Sequence, residues 1–250
     1  MTRKYLMVLV LSLLAVLPIG CATTPASQTS QQETGKYVAN FTYTPAAQET
    51  PNSEGVTFTV GDITYNYHPK VDFITWYNFE QLGNLSNAVK QDFSNLLAAK
   101  GFSVRGPFES YDLIPFQDKK AIDLRLIPTL ELFVTGKNTK HDYANFMLTS
   151  YLDTGDVEVT GKIILELKEI ATLELLWSKS IPITKFEFSY AIRYPINAPN
   201  NLDNIVMDDV AKGIEKQYPD IMATIEKLID PEEMGIIKKQ AQELKNKKGY

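Results

Sequence analysis

One cysteine, Cys21, stands in a chain of 250 residues, directly after an apolar N-terminal run. That position bars any intrachain disulfide and any thiolate catalyst further along, so whatever folds must fold by burying apolar side chains. The run before it has the form of a secretory leader. Arg3 and Lys4 are basic, and Tyr5 to Ile19 is apolar except for Tyr5, Ser12 and Pro18. Fifteen residues suit a leader's apolar core and fall short of the roughly 20 needed to span a bilayer. Gly20 is small, as cleavage at this point requires. LPIGC (17–21) therefore resembles a bacterial lipobox, in which the leader (1–20) is removed and Cys21 becomes an acylated first residue. Pro18 departs from the pattern by standing where an aliphatic residue is usual. Each buried acyl CH₂ contributes about 0.8 kcal/mol, so two or three chains hold a protein on a membrane without a spanning helix. Ala22 is not the aspartate that commonly retains lipoproteins at the inner membrane, which points to the cell outer membrane.

Removing the leader takes two basic residues with it, leaving 23 basic and 30 acidic residues, a net charge of −7. That balance argues against nucleic acid and against a polybasic grip on anionic lipid. Residues 22–36, ATTPASQTSQQETGK, carry no large apolar side chain and read as a tether with a span of roughly 20 Å. The remainder, 37–250, is read as one domain.

Within it, 37–43 and 56–67 are rich in aromatic and β-branched residues and predict strands. Leu82, Leu85, Val89, Phe93 and Leu96 make an apolar stripe that predicts a helix over 79–100, closed by Gly101. FSV (102–104) is a short strand. Residues 121–134 alternate as a strand that Pro128 should bend or place at an edge. A polar loop is expected over 135–155. Residues 157–167 and 173–190 predict a hairpin turning near EIAT, and 202–229 and 232–247 predict helices, with Pro219 kinking or splitting the first. The fold class is α+β: a mostly antiparallel sheet with helices packed on one face and helices at the C-terminus.

The chemistry is sparse. His68 and His141 have no partner at ligand spacing, so no metal site is expected. His68 reads as a strand-end or turn residue. GDVEVTGK (155–162) has the wrong spacing for a phosphate loop and reads as a strand with a glycine, and DTGD (153–156) reads as a turn. No nucleophile motif occurs, so no enzyme and no cofactor is expected. ITWYNF (74–79), with Tyr65 and Tyr67, is the densest aromatic patch and reads as packing, with sugar stacking as the functional alternative. The C-terminal lysines follow helix-dipole order and read as a solvated helix end, or else as a docking face for an acidic partner.

NFTYTPAAQE (40–49), LLAAKGFSV (96–104), QDKKAIDLRL (117–126) and DIMATIEKLIDPEEMGIIKKQAQELKNKKG (220–249) resemble, in order and spacing, segments of the neuraminyllactose-binding hemagglutinin family. Its members are bacterial surface or outer-membrane lipoproteins. The resemblance implies an adhesin-like protein binding sialylated host glycan. It carries the family's basic segment onto GKNTKHD (136–142), with Lys137, Asn138, Thr139 and Lys140 as candidate glycan-binding residues. Asn138 stands where the family has arginine, the residue that would hold a carboxylate in two bonds. The alternative is a structural or assembly subunit of the envelope or of a sheath, working through protein–protein contacts.

Overall fold

Three long strands carry the architecture: β4 (Leu124–Tyr143), β5 (Ser150–Glu169) and β6 (Leu175–Pro195). They pair antiparallel along nearly their whole length. Against the free side of β4 lie β1 (Thr57–Val60) and then β2 (Thr64–Lys70), both parallel to it, with β3 (Ser103–Val104) beyond β1. The helices are α1 (Gly83–Ala99), α2 (Phe116–Ala121), α3 (Leu202–Leu228) and α4 (Pro231–Lys248). This is the α+β class, a mostly antiparallel sheet with helices on one face and at the C-terminus. The computed structural model describes residues 37–46, 55–70, 80–144, 149–197 and 202–249. The leader, Cys21, the tether and ITWYNF lie outside them. No helix among the described residues is long and apolar enough to cross a membrane.

Burial follows the strand period of two. Leu124, Leu126, Leu130, Leu132 and Val134 of β4 face the helices with Val157, Val159, Ile163, Leu165 and Leu167 of β5. The α1 stripe (Leu85, Val89, Phe93, Leu96) closes over this face. Its end is a Schellman cap: Gly101 takes φ 81°, its N–H reaches Ala98 O at 2.9 Å, and the Phe102 N–H reaches Leu97 O at 3.0 Å. Asp230 caps α4 by accepting from the Glu233 N–H at 2.9 Å, ahead of Pro231.

Several expectations are corrected. Residues 37–43 have the burial rhythm of a strand, with Ala39 and Phe41 inside, but join no ladder. They run along α3 and are held by side chains: Phe41 packs edge-on to Tyr218 with centroids 5.3 Å apart, and the hydroxyls of Tyr37 and Tyr43 donate to Glu215 and Glu226. The expected single strand over 56–67 is two, broken at Gly61–Ile63. Pro128 sits in a central strand. Leu126 O accepts from Gly61 N at 2.8 Å, so by strand alternation the Pro128 nitrogen points to that same edge, into the break between β1 and β2 where no donor is needed. The expected loop at 135–155 is mostly strand, and DTGD lies within β5. Past Val134 the β4–β5 pairs are polar on both faces apart from Val157, Leu152 and the Tyr143–Tyr151 pair, so the ladder continues with little of the apolar signal that marks it. α3 runs unbroken through Pro219.

Asp92 of α1 is 7% exposed and accepts from the Tyr218 hydroxyl at 2.8 Å. Burial raises its carboxyl pKa, against the lowering effect of that hydrogen bond. The folded state therefore holds this proton more tightly than the unfolded chain, and the group costs stability as pH rises above its ordinary value. Asp92→Asn, whose amide oxygen still accepts from Tyr218, should gain stability relative to the parent between pH 4 and pH 7 in urea titrations. A relative loss over that range contradicts this reading.

Candidate functional site

The lysine and aromatic side chains converge at the β5–β6 turn. Glu169, fully buried, ends β5, and its carboxylate accepts from the N–H groups of Ala171 (2.9 Å) and Thr172 (2.6 Å). This lets the chain reverse where Leu173 takes φ 59°. The Tyr111 hydroxyl donates to Ile170 O at 2.9 Å, and Ile114, Ile122 and Ile170 form a small core beneath it. α2 lies beside the turn. Phe116, Lys119 and Lys120 fall at helical spacing and share one side. From α4, Lys245 donates to Ile122 O at 2.6 Å and stands 3.7 Å from Glu169.

These elements enclose a cavity of about 420 Å³ lined by Tyr111, Phe116, Lys119, Lys120, Ala171 and Lys245. The Lys119 ammonium sits 4.1 Å above the Tyr111 ring, and that of Lys120 sits 4.6 Å above Phe116. Cation–π attraction orders both without neutralising them. Phe116 is 64% exposed. Among the described residues no carboxylate pairs with Lys119 or Lys120, although the chain is acidic overall. The nearby Asp118 is engaged by Arg105 at 2.6 Å. The cavity is of ligand size, and its ammoniums and aromatic rings offer contacts to an anion that carries a ring or apolar body.

The segment singled out by resemblance lies elsewhere. A bulge between Lys137 and Lys140, with Asn138 at φ 53°, puts both lysines on the sheet face turned away from the helices, opposite Asp156 and Thr154. The Lys137 ammonium is hydrogen-bonded to Glu158 and is 3.9 Å from Glu187. Asn138 donates to Asp156 at 2.8 Å. Hydrogen bonds from Lys137 and then Lys185 draw the Glu158 carboxyl down to about 2. Thr139 is half-exposed and Lys140 exposed. His68 is within β2, stacked on Phe133 at 4.5 Å and 3.6 Å from Glu131. His141 is on β4 and meets Asp153. Tyr65 and Tyr67 stack at 5.7 Å against the core. GDVEVTGK is strand, as expected. The C-terminal lysines are more than a solvated end, since Lys238 and Lys245 fasten α4 to the Gly55 and Ile122 carbonyls. The lysine cavity itself escapes a reading of the sequence, because α2 is only six residues long.

Among solved structures, a neuraminyllactose-binding hemagglutinin homolog from Helicobacter pylori aligns over 82% of this chain and 99% of its own, at 17% identity and a TM-score of 0.54. At that identity the likeness is one of fold. A Xanthomonas campestris protein aligns over 83% of this chain and 98% of its own at 11% identity and TM-score 0.34. A Neisseria meningitidis lipoprotein aligns over 64% and 99% at 15% identity and TM-score 0.20. Both scores are too low to establish a common fold. No protein-family model matches the sequence, and no curated protein matches it.

Glu169→Ala leaves the Ala171 and Thr172 N–H groups without their acceptor and Lys245 without its nearby carboxylate, and should cost about 1–3 kcal/mol in urea denaturation. A cost under about 0.5 kcal/mol would mean that the turn does not depend on this carboxylate.

Proposed function

We propose that this chain is a bacterial envelope lipoprotein, anchored at the outer membrane through acyl chains on Cys21, that works by binding and not by catalysis. Its ligand is a carboxylate-bearing glycan, held in the lysine cavity. The observation that carries this is the pair of ordered ammoniums on Lys119 and Lys120 with no carboxylate partner, beside an exposed Phe116. A sialic carboxylate meets those ammoniums while the sugar ring lies against Phe116 or Tyr111. Lys137, Asn138, Thr139 and Lys140 are the competing location, where Lys137 would first have to leave Glu158. The description of the H. pylori neighbour as a neuraminyllactose-binding homolog agrees with this chemistry.

A second reading, assembly through protein contacts, is favoured by β6. This 21-residue strand ends the sheet, with no strand on its far edge among the described residues. Crosslinking in intact envelopes would identify such partners.

Titration calorimetry separates the locations. Sialyllactose should give saturable heat and lactose none. Lys119→Ala with Lys120→Ala should weaken binding at least about tenfold, or about 1.4 kcal/mol, and Lys137→Ala with Lys140→Ala should leave it unchanged. The reverse pattern places the ligand on the β4 bulge, and no heat at millimolar sialyllactose removes glycan from the proposal.

A further inference from the structure

The three long strands finish together on a rung of tyrosines. Tyr143 pairs with Tyr151, and Tyr151 with Tyr194. Ring centroids are 5.1 Å and 5.8 Å apart. Tyr143 is 54% exposed and the other two are half-buried. The rung is fixed from within by Asp153, 3% exposed, which accepts from the Tyr194 hydroxyl at 2.9 Å and meets His141 Nδ1.

The first described residue, Tyr37, lies beside the middle of α3, and the chain from it runs away from this end. α3 runs opposite to β6: Gln217 donates to Thr184 O at 2.9 Å, while Glu233, beyond α3, accepts from Trp177 at 3.0 Å. The first turn of α3 therefore lies toward the rung. Tyr37 meets Glu215 and Tyr43 meets Glu226, so the entering segment follows α3 in its own direction. Tyr37 is therefore the end of this segment nearer the rung. In the sequence fifteen residues, 22–36, lie between Cys21 and Tyr37, and a tether of that length and composition would span roughly 20 Å.

We infer that the rung Tyr143–Tyr151–Tyr194 is a membrane-interface contact that seats the tethered fold on a zwitterionic phospholipid surface and turns the lysine cavity away from it. The inference rests on acylation at Cys21. Tyrosine suits the task, with an apolar ring for the acyl boundary and a hydroxyl for the headgroups. Charge points to the same occupant. Near the rung, among the described residues, Lys140 and Arg193 are offset by Asp142 and Asp153, which leaves no basic patch there for an anionic surface. The cavity is at the opposite end: Glu169 is eighteen residues along β5 from Tyr151, roughly 60 Å of unbent strand.

The test uses the full-length acylated protein reconstituted in phosphatidylcholine vesicles. With Cys21 acylated, Asp142→Cys or Lys120→Cys supplies a single labelling site, near the rung or in the cavity. Doxyl-labelled lipid should quench a nitrobenzoxadiazole label at residue 142 at least about fivefold more than one at residue 120. Adding Tyr143→Ser, Tyr151→Ser and Tyr194→Ser should remove most of that difference while the protein still floats with the vesicles. If the triple variant misfolds by circular dichroism, Tyr143→Ser alone should lower the quenching about twofold. Protein that does not float overturns the anchor and this inference together. Protein that floats with neither label quenched, with both quenched equally, or with quenching indifferent to the tyrosines overturns the inference alone and leaves a glycan or a protein as the rung's partner.

Discussion

The continuous pairing of β4 with β5, and of β5 with β6, is the constraint on which the other features depend. It places alternate residues from Leu124 to Val134 and from Val157 to Leu167 on one face, where α1, α3 and α4 find their apolar footing. A slip of one residue would turn every one of those leucines and valines to solvent. The register is held at one end by Glu169, whose carboxylate organises the turn. It is relieved along the way by bulges at Lys137/Lys140 and Val159/Gly161. Glycine is needed at 161, because a Cβ there would come within 2.3 Å of Glu131 O on the neighbouring strand.

The same ladder distributes charge unequally. On the face away from the helices, Glu131 is shared by Lys162 and His68, Glu158 by Lys137 and Lys185, and Asp156 by Asn138 and Ser189. Exposed pairs of this kind stabilise little. Their effect is to leave that face with few ammoniums ready for an outside anion. The end of the sheet at the β5–β6 turn has the opposite character. There α2 brings in lysines ordered by aromatic rings, and the one buried carboxylate is occupied by the turn and by Lys245.

Much of the fold was legible wherever burial imposes a period. The α1 stripe, the hairpin and the two C-terminal helices all follow from apolar spacing, and α1 ends at the glycine expected to end it. Legibility failed where the ladder outlasts its core. From Thr135 to Tyr143 and Ser150 to Asp156 the backbone still pairs, but apart from Leu152, Tyr143 and Tyr151 the side chains are polar on both faces and look like a loop. It failed again at 37–43, whose alternation is real but serves packing on α3 and not a strand. The candidate site was the least legible part. Lys119 and Lys120 lie within a stretch matched only for its resemblance, and the lysines expected to bind, Lys137 and Lys140, are separated from them by much of the length of β4. Tyr111, Ala171 and Lys245 meet α2 only through tertiary packing.

If the lysine cavity at the β5–β6 turn is the working end of this fold, sialyllactose should bind there and leave the β4 bulge untouched. Chemical-shift mapping of the isotope-labelled protein during a sialyllactose titration tests it most directly. Amide shifts should move at Tyr111, Phe116, Lys119, Lys120 and Ala171 and stay fixed along 136–142. Shifts centred on Lys137 to Lys140, or none at saturating ligand, would contradict it.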